Sequence, residues 1–188
     1  MIAIIRSQLS ESQKQYGDEL NFAQMALEYA RDSHSKNLGE YVFGAGLAAH
    51  LSAALHLGLD DIRSEEAESF LDSASAVSTP VNQIRRSIAE VALALGQYRK
   101  THGDQKAANL LFKIGVNSFD RTDQTQPELL VLEAALNSEL GENEKARALM
   151  SDLGELSPIY PDYAALLEKP CCKDLAPAAN RDLRAAAN

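Results

Sequence analysis

Residues 95–112 read LGQYRKTHGDQKAANLLF, and the fold class of the chain turns on how that stretch is read. Upstream of its glycine, Ile84, Ile88, Val91, Leu95 and Tyr98 recur at steps of three and four residues, which puts them on one stripe of an α-helix. Thr79-Pro80 supplies a capping residue followed by a proline suited to the first helical position. The helix is expected to stop near His102-Gly103, with Asp104 capping a second helix whose stripe is Ala107, Ala108, Leu111, Phe112 and Ile114. Two amphipathic helices joined by so short a turn must fold back as an antiparallel hairpin.

Working outward, the same grammar repeats. Pro127 opens a helix carrying Leu129, Leu132, Leu136 and Leu140, Gly141 turns the chain, and Ala146, Leu149, Met150, Leu153 and Leu156 form the return stripe up to Pro158. A weaker pair is expected over 40–57 and 64–77, the second member with Ala67, Phe70, Leu71 and Ala74 inward, and a helix over 11–32 precedes it. The segment with Tyr41, Phe43, Leu47, Leu51, Leu55 and Leu57 is apolar on more than one side, which predicts a helix covered on both faces at the centre of the fold. No segment alternates with a period of two, so the chain is read as all-α, with about eight helices in one domain over 1–170. Beyond Pro170, CCKDLAPAANRDLRAAAN loses its large apolar residues and is read as a weakly ordered tail over 171–188.

Composition bounds the function. A chain of 188 residues can bury roughly 70% of its unfolded surface without a metal or disulfide staple. The net charge is −9 with acidic residues spread throughout, which disfavours nucleic acid. Arg85, Arg86, Arg99, Lys100, Lys106 and Lys113 lie among Glu90, Asp104 and Asp120 and read as a solvated face. The start MIAIIRSQLS lacks the pattern of a secretory signal, and no stretch approaches the roughly 18 apolar residues of a membrane span, so a cytoplasmic location is expected. Cys171 and Cys172 are adjacent, with no partner at metal-ligand spacing.

Chemical motifs are sparse. FGAGLAAH has the glycine spacing of a dinucleotide fingerprint but lies inside a helical run, where Gly44 and Gly46 are better explained by close helix packing. His34, His50, His56 and His102 form no HxxxH or HExxH pair and read as surface or cap residues. Glu65, Glu66 and Glu68 follow Ser64 at a helix start and read as capping carboxylates. No catalytic residue, metal or cofactor is assigned, and an enzyme is not expected.

Aligned on their turn glycines, the two clearest hairpins share their offsets: Gly103 is followed by Ala108, Phe112 and Asp120, Gly141 by Ala146, Met150 and Pro158. The glycines stand 38 residues apart, and the first hairpin carries Leu95-Gly96 ahead of its turn. This pattern resembles the tetratricopeptide repeat, a helix-turn-helix unit of about 34 residues with a Leu-Gly pair, a turn Gly, an early Ala, a bulky residue four later and a closing Pro. The second hairpin departs from it at Glu133-Ala134, and the pair before Pro80 keeps only Ala67, Leu71 and Ala74. The resemblance implies a right-handed superhelical stack whose first helices line a concave groove for a partner's peptide or helix. Carried onto this chain, the groove positions are Glu90, Leu93, Gln97 and Lys100 with Glu128, Val131, Ala135 and Ser138. Ala94 and Leu132 stand where binders of acidic chaperone tails need lysine and asparagine, so the implied partner is a mixed or partly hydrophobic segment. The leading expectation is therefore a protein-binding adaptor, scaffold or chaperone. The alternatives are self-association, with the groove filled by the N-terminal helix, and a regulatory sensor that takes a small ligand and reports redox state through the tail cysteines.

Overall fold

The structure is a computed structural model, and it describes residues 6, 10, 13–32, 36–60, 63–75, 82–119 and 127–152. Among these residues the chain is helical throughout, with seven helices: α1 (Tyr16–Asp32), α2 (Lys36–Leu57), α3 (Ser64–Ser75), α4 (Asn82–Thr101), α5 (Gln105–Asn117), α6 (Pro127–Glu139) and α7 (Asn143–Asp152). Thr79-Pro80, the stripe beyond Asp152, His34, Asp120 and the tail with Cys171 and Cys172 lie outside the described residues.

Three long helices stop in the same way. Gly58, Gly103 and Gly141 each take a left-handed φ, of 66°, 85° and 79°. Each also closes the same two hydrogen bonds across its helix end. Leu59 N–H donates to the Ala54 carbonyl, Asp104 N–H to Arg99, and Glu142 N–H to Asn137, at 2.9, 2.9 and 2.8 Å. The glycine N–H groups donate to Leu55, Lys100 and Ser138. This satisfies carbonyls that a helix end would otherwise leave open, and glycine bears the positive φ at no steric cost. Asp104 then starts α5, its carboxylate accepting from the Ala107 N–H at 3.0 Å.

The α4–α5 hairpin is antiparallel and interlocked. Gly96 on α4 faces Phe112 on α5 so closely that a Cβ added at 96 would lie 2.3 Å from a ring carbon. Farther from the turn, Gly115 takes Ala92 and Leu136 against its bare Cα, and the Ser118 hydroxyl donates to the Arg85 carbonyl at 3.3 Å. Small residues at these points let the helix backbones approach until Phe112, which is fully buried, fills the seam. In the α6–α7 hairpin, Ala134, Ala146 and Met150 are buried at the corresponding positions.

α2 is the central helix. Gly46 on one side receives Leu27 and Ala26 of α1, and Gly44 on the other receives Phe70 of α3 and Ser87 of α4. Its FGAGLAAH segment is thus a packing device on a continuous helix. Leu47, Leu51 and Ala54 share a buried cluster with Phe70 and Leu71 of α3 and with Ile84, Ile88, Val91 and Leu95 of α4. A second cluster joins α4, α5, α6 and α7 through Leu93, Phe112, Val131, Leu136 and Met150. α3, expected to pair with α2 as a hairpin, packs more extensively on α4. Phe70 still reaches Gly44, but the face of α2 ahead of it is left partly uncovered.

Candidate functional site

The eight positions expected to line a groove fall on α4 and α6. The structure brings these helices together and closes the seam between them. Leu93, Val131 and Ala135 are 6, 2 and 6% exposed and belong to the same buried cluster, so their side chains serve internal packing. Lys100 Nζ sits 2.9 Å from Glu139 Oε2, and Gln97 donates to the other Glu139 oxygen at 3.4 Å, which ties the C-terminal ends of the two helices. Glu90 is ion-paired along its own helix with Arg86 at 2.7 Å. Ser138 is half-buried on α6, and the side chain of Glu128 lies outside the described residues. Sequence periodicity could not show this closure, because a first-helix position looks the same whether its next neighbour is a partner's peptide or the chain's own following helix.

An open concavity lies among α1, α2 and α3. A cleft of about 550 Å³ is lined by Ala30 and Arg31 of α1, Gly39, Glu40 and Phe43 of α2, and Glu65, Glu66, Ser69, Phe70 and Ser73 of α3. Its floor is aromatic: the Phe43 and Phe70 rings are tilted by 57° with centroids 6.2 Å apart. Its rim is mostly acidic. Glu66 accepts from Arg31 at 3.2 Å and from Arg63 at 3.0 Å, a double pairing that props α3 against the end of α1. Glu65 makes no ion pair with a described residue. The sequence offered one signal for this site, the run Ser64-Glu65-Glu66 read as a helix start. These carboxylates do occupy the first turn of α3, and they also form the wall of the cleft.

Outside the cleft, two histidines make contacts within the fold. His56 and His102 both hold Nδ1 at 2.9 Å from the carbonyl four residues earlier, which requires the proton on that nitrogen, and they stack on Tyr16 and Tyr98 with centroids 4.1 and 3.9 Å apart. His50, expected at a surface or cap, is instead 5% exposed within α2. Burial raises the Tyr41 hydroxyl above its ordinary pKa, with Arg86 opposing and Glu90 adding to the shift. Burial likewise raises the Glu133 carboxyl, partly offset by Lys145. Among the described residues no group of histidine, cysteine, aspartate and glutamate is placed to hold a metal ion, and no helix is long and apolar enough to cross a membrane.

Compared with protein-family models, with curated proteins and with solved structures, the chain matches none.

Proposed function

We propose that this chain is a protein-interaction module of the tetratricopeptide kind, its hairpins wound as a right-handed superhelix, and that it holds a segment of a partner protein. The repeat reading is supported by the roles of the motif residues: Gly96, Ala108 and Phe112 form the interlocked seam of one hairpin, and Ala134, Ala146 and Met150 repeat it in the next. The observation that carries the functional reading is the cleft bounded by α1, α2 and α3. It is an aromatic-floored concavity with a charged rim, while the α4–α6 seam first expected to bind is closed by its own side chains. A concave, largely apolar site with a few polar groups at its edge is what a docking pocket requires. No catalytic step is assigned to it.

A peptide-display selection on the whole chain tests the reading, run in parallel on a Ser69→Arg variant. Ser69 is exposed on α3 and lines the cleft, so the arginine side chain occupies the space without entering the core. Peptides that bind the natural chain and are lost on the variant are the expected result. Selection of the same peptides by both proteins overturns it.

A further inference from the structure

The cleft has a counterpart elsewhere on the same molecule. On α5, Lys106, Leu110 and Lys113 are spaced four and three residues apart, which places them on one face of the helix. Leu110 is 62% exposed, more than any other large hydrophobic residue described. Neither flanking lysine is in an ion pair with a described residue, whereas Arg31, Arg63, Arg86, Arg99, Lys100 and Lys145 all are. The ridge is therefore an apolar knob between two cations with no ion pair to a described residue. The cleft offers the opposite character: Phe43 and Phe70 at the floor and, at the wall, Glu65, which makes no ion pair with a described residue; Glu40, which also lines the cleft, is already engaged within the chain. The helices around it are strongly acidic, since α1 and α3 together carry eight acidic residues and one arginine, while α5 carries its two lysines and no acidic residue.

We propose that the partner held in the cleft is a second copy of this chain, whose Lys106–Leu110–Lys113 ridge seats Leu110 against Phe43 and Phe70 while the lysines face the acidic wall that carries Glu65. This rests on reading the cleft as the docking site and names its occupant. Burial of the leucine against two aromatic rings supplies the apolar contact, and the lysines supply orientation and a faster encounter that salt weakens. Cleft and ridge are different surfaces, so the contact is heterologous. The second copy keeps its own cleft vacant for a third, and assembly runs on as an open chain unless the rotation between copies closes a ring.

Sedimentation velocity on the whole chain, over rising concentration and at low and high salt, tests this with two variants that each disable one surface. Leu110→Glu spoils the ridge and Ser69→Arg blocks the cleft; both positions are exposed, and circular dichroism checks that helicity is kept. The natural chain is expected to grow beyond the dimer, less so at high salt. Each variant alone is expected to associate at least ~10-fold more weakly. An equimolar mixture of the two is expected to stop at the dimer, because only one competent cleft and one competent ridge remain per pair. A monomeric natural chain, unchanged association of Leu110→Glu, or a mixture that stays monomeric or grows past the dimer each overturns the proposal. If the natural chain is monomeric while displayed peptides still require an open cleft, only the choice of occupant fails. If those peptides are indifferent to Ser69→Arg as well, the docking reading fails with it.

Discussion

The hairpin α4–α5 and the pair α2–α3 use the same device with different results. In both, a glycine on the longer helix accepts a phenylalanine from the shorter one: Gly96 takes Phe112, and Gly44 takes Phe70. In α4–α5 the turn is short and capped by Asp104, the helices run back along each other, and Phe112 is sealed between them. In α2–α3 the shorter helix lies more against α4, so Phe70 is gripped on one side and borders the cleft on the other, with Phe43 half-buried beside it. The short, capped turn thus goes with a closed seam, and the pair without one leaves an opening beside Phe70.

Truncating the two rings tests that contrast most strongly. Phe112→Ala should cost about 3–5 kcal/mol, since it empties a sealed site. Phe70→Ala should cost less, about 2–3 kcal/mol, because its cavity already opens to water. Denaturant midpoints at constant slope measure both, and equal losses would break the comparison. Adding a methyl group in place of removing a ring is the next test. Gly96→Ala and Gly44→Ala bring a Cβ to 2.3 and 2.6 Å from ring carbons of Phe112 and Phe70. Overpacking of this kind costs about 1–3 kcal/mol, against which alanine returns up to about 1 kcal/mol of helix propensity. Gly44→Ala should be no milder than Gly96→Ala, because its new Cβ also meets the Ser87 Cβ of α4 at 2.6 Å, a contact that a shift of Phe70 cannot relieve. Combining each with a Phe→Leu change should recover part of the loss if the contact is the cause.

The capping difference is smaller. Asp104→Ala removes the bond to Ala107 N–H and should cost about 1 kcal/mol, readable as a lower melting temperature with the helix content retained. The smallest effect concerns charge in the α6–α7 hairpin. Burial raises the folded-state pKa of Glu133 above its unfolded value, so its contribution to stability is greatest below about pH 4.3 and is lost as pH rises through the folded pKa. Glu133→Gln should therefore melt slightly higher than the natural chain at neutral pH, the two converging in acid. A variant less stable at pH 7 would show the carboxylate to be held by Lys145 more than it is penalised by burial.

Much of the architecture could be read from residues alone, because its signals are local. Gly103, Gly141 and the cap at Asp104 announce helix ends through backbone chemistry that depends on a few neighbours, and the apolar breadth of α2 announces a helix covered on more than one side. The site was less legible. Leu93, Val131 and Ala135 stand at positions expected from the sequence to line a groove, and only the approach of α6 to α4 decides that they are buried. The cleft lies where α3 packs more on α4 than on α2 and leaves Phe43 half-buried. No spacing in the sequence records that choice of neighbour.

The shared geometry at Gly58, Gly103 and Gly141 makes each turn a natural splice point. Because the chain leaves α4 and α6 along the same backbone path, the segment after Gly103 up to and including Gly141 can be excised and the ends joined without asking the polypeptide for a new bend. α7 would then return along α4, offering Ala146 and Met150 where Ala108 and Phe112 had stood, at the same distances from the junction. On the proposed reading of these hairpins as repeats, the molecule could be shortened by one whole unit at these turns.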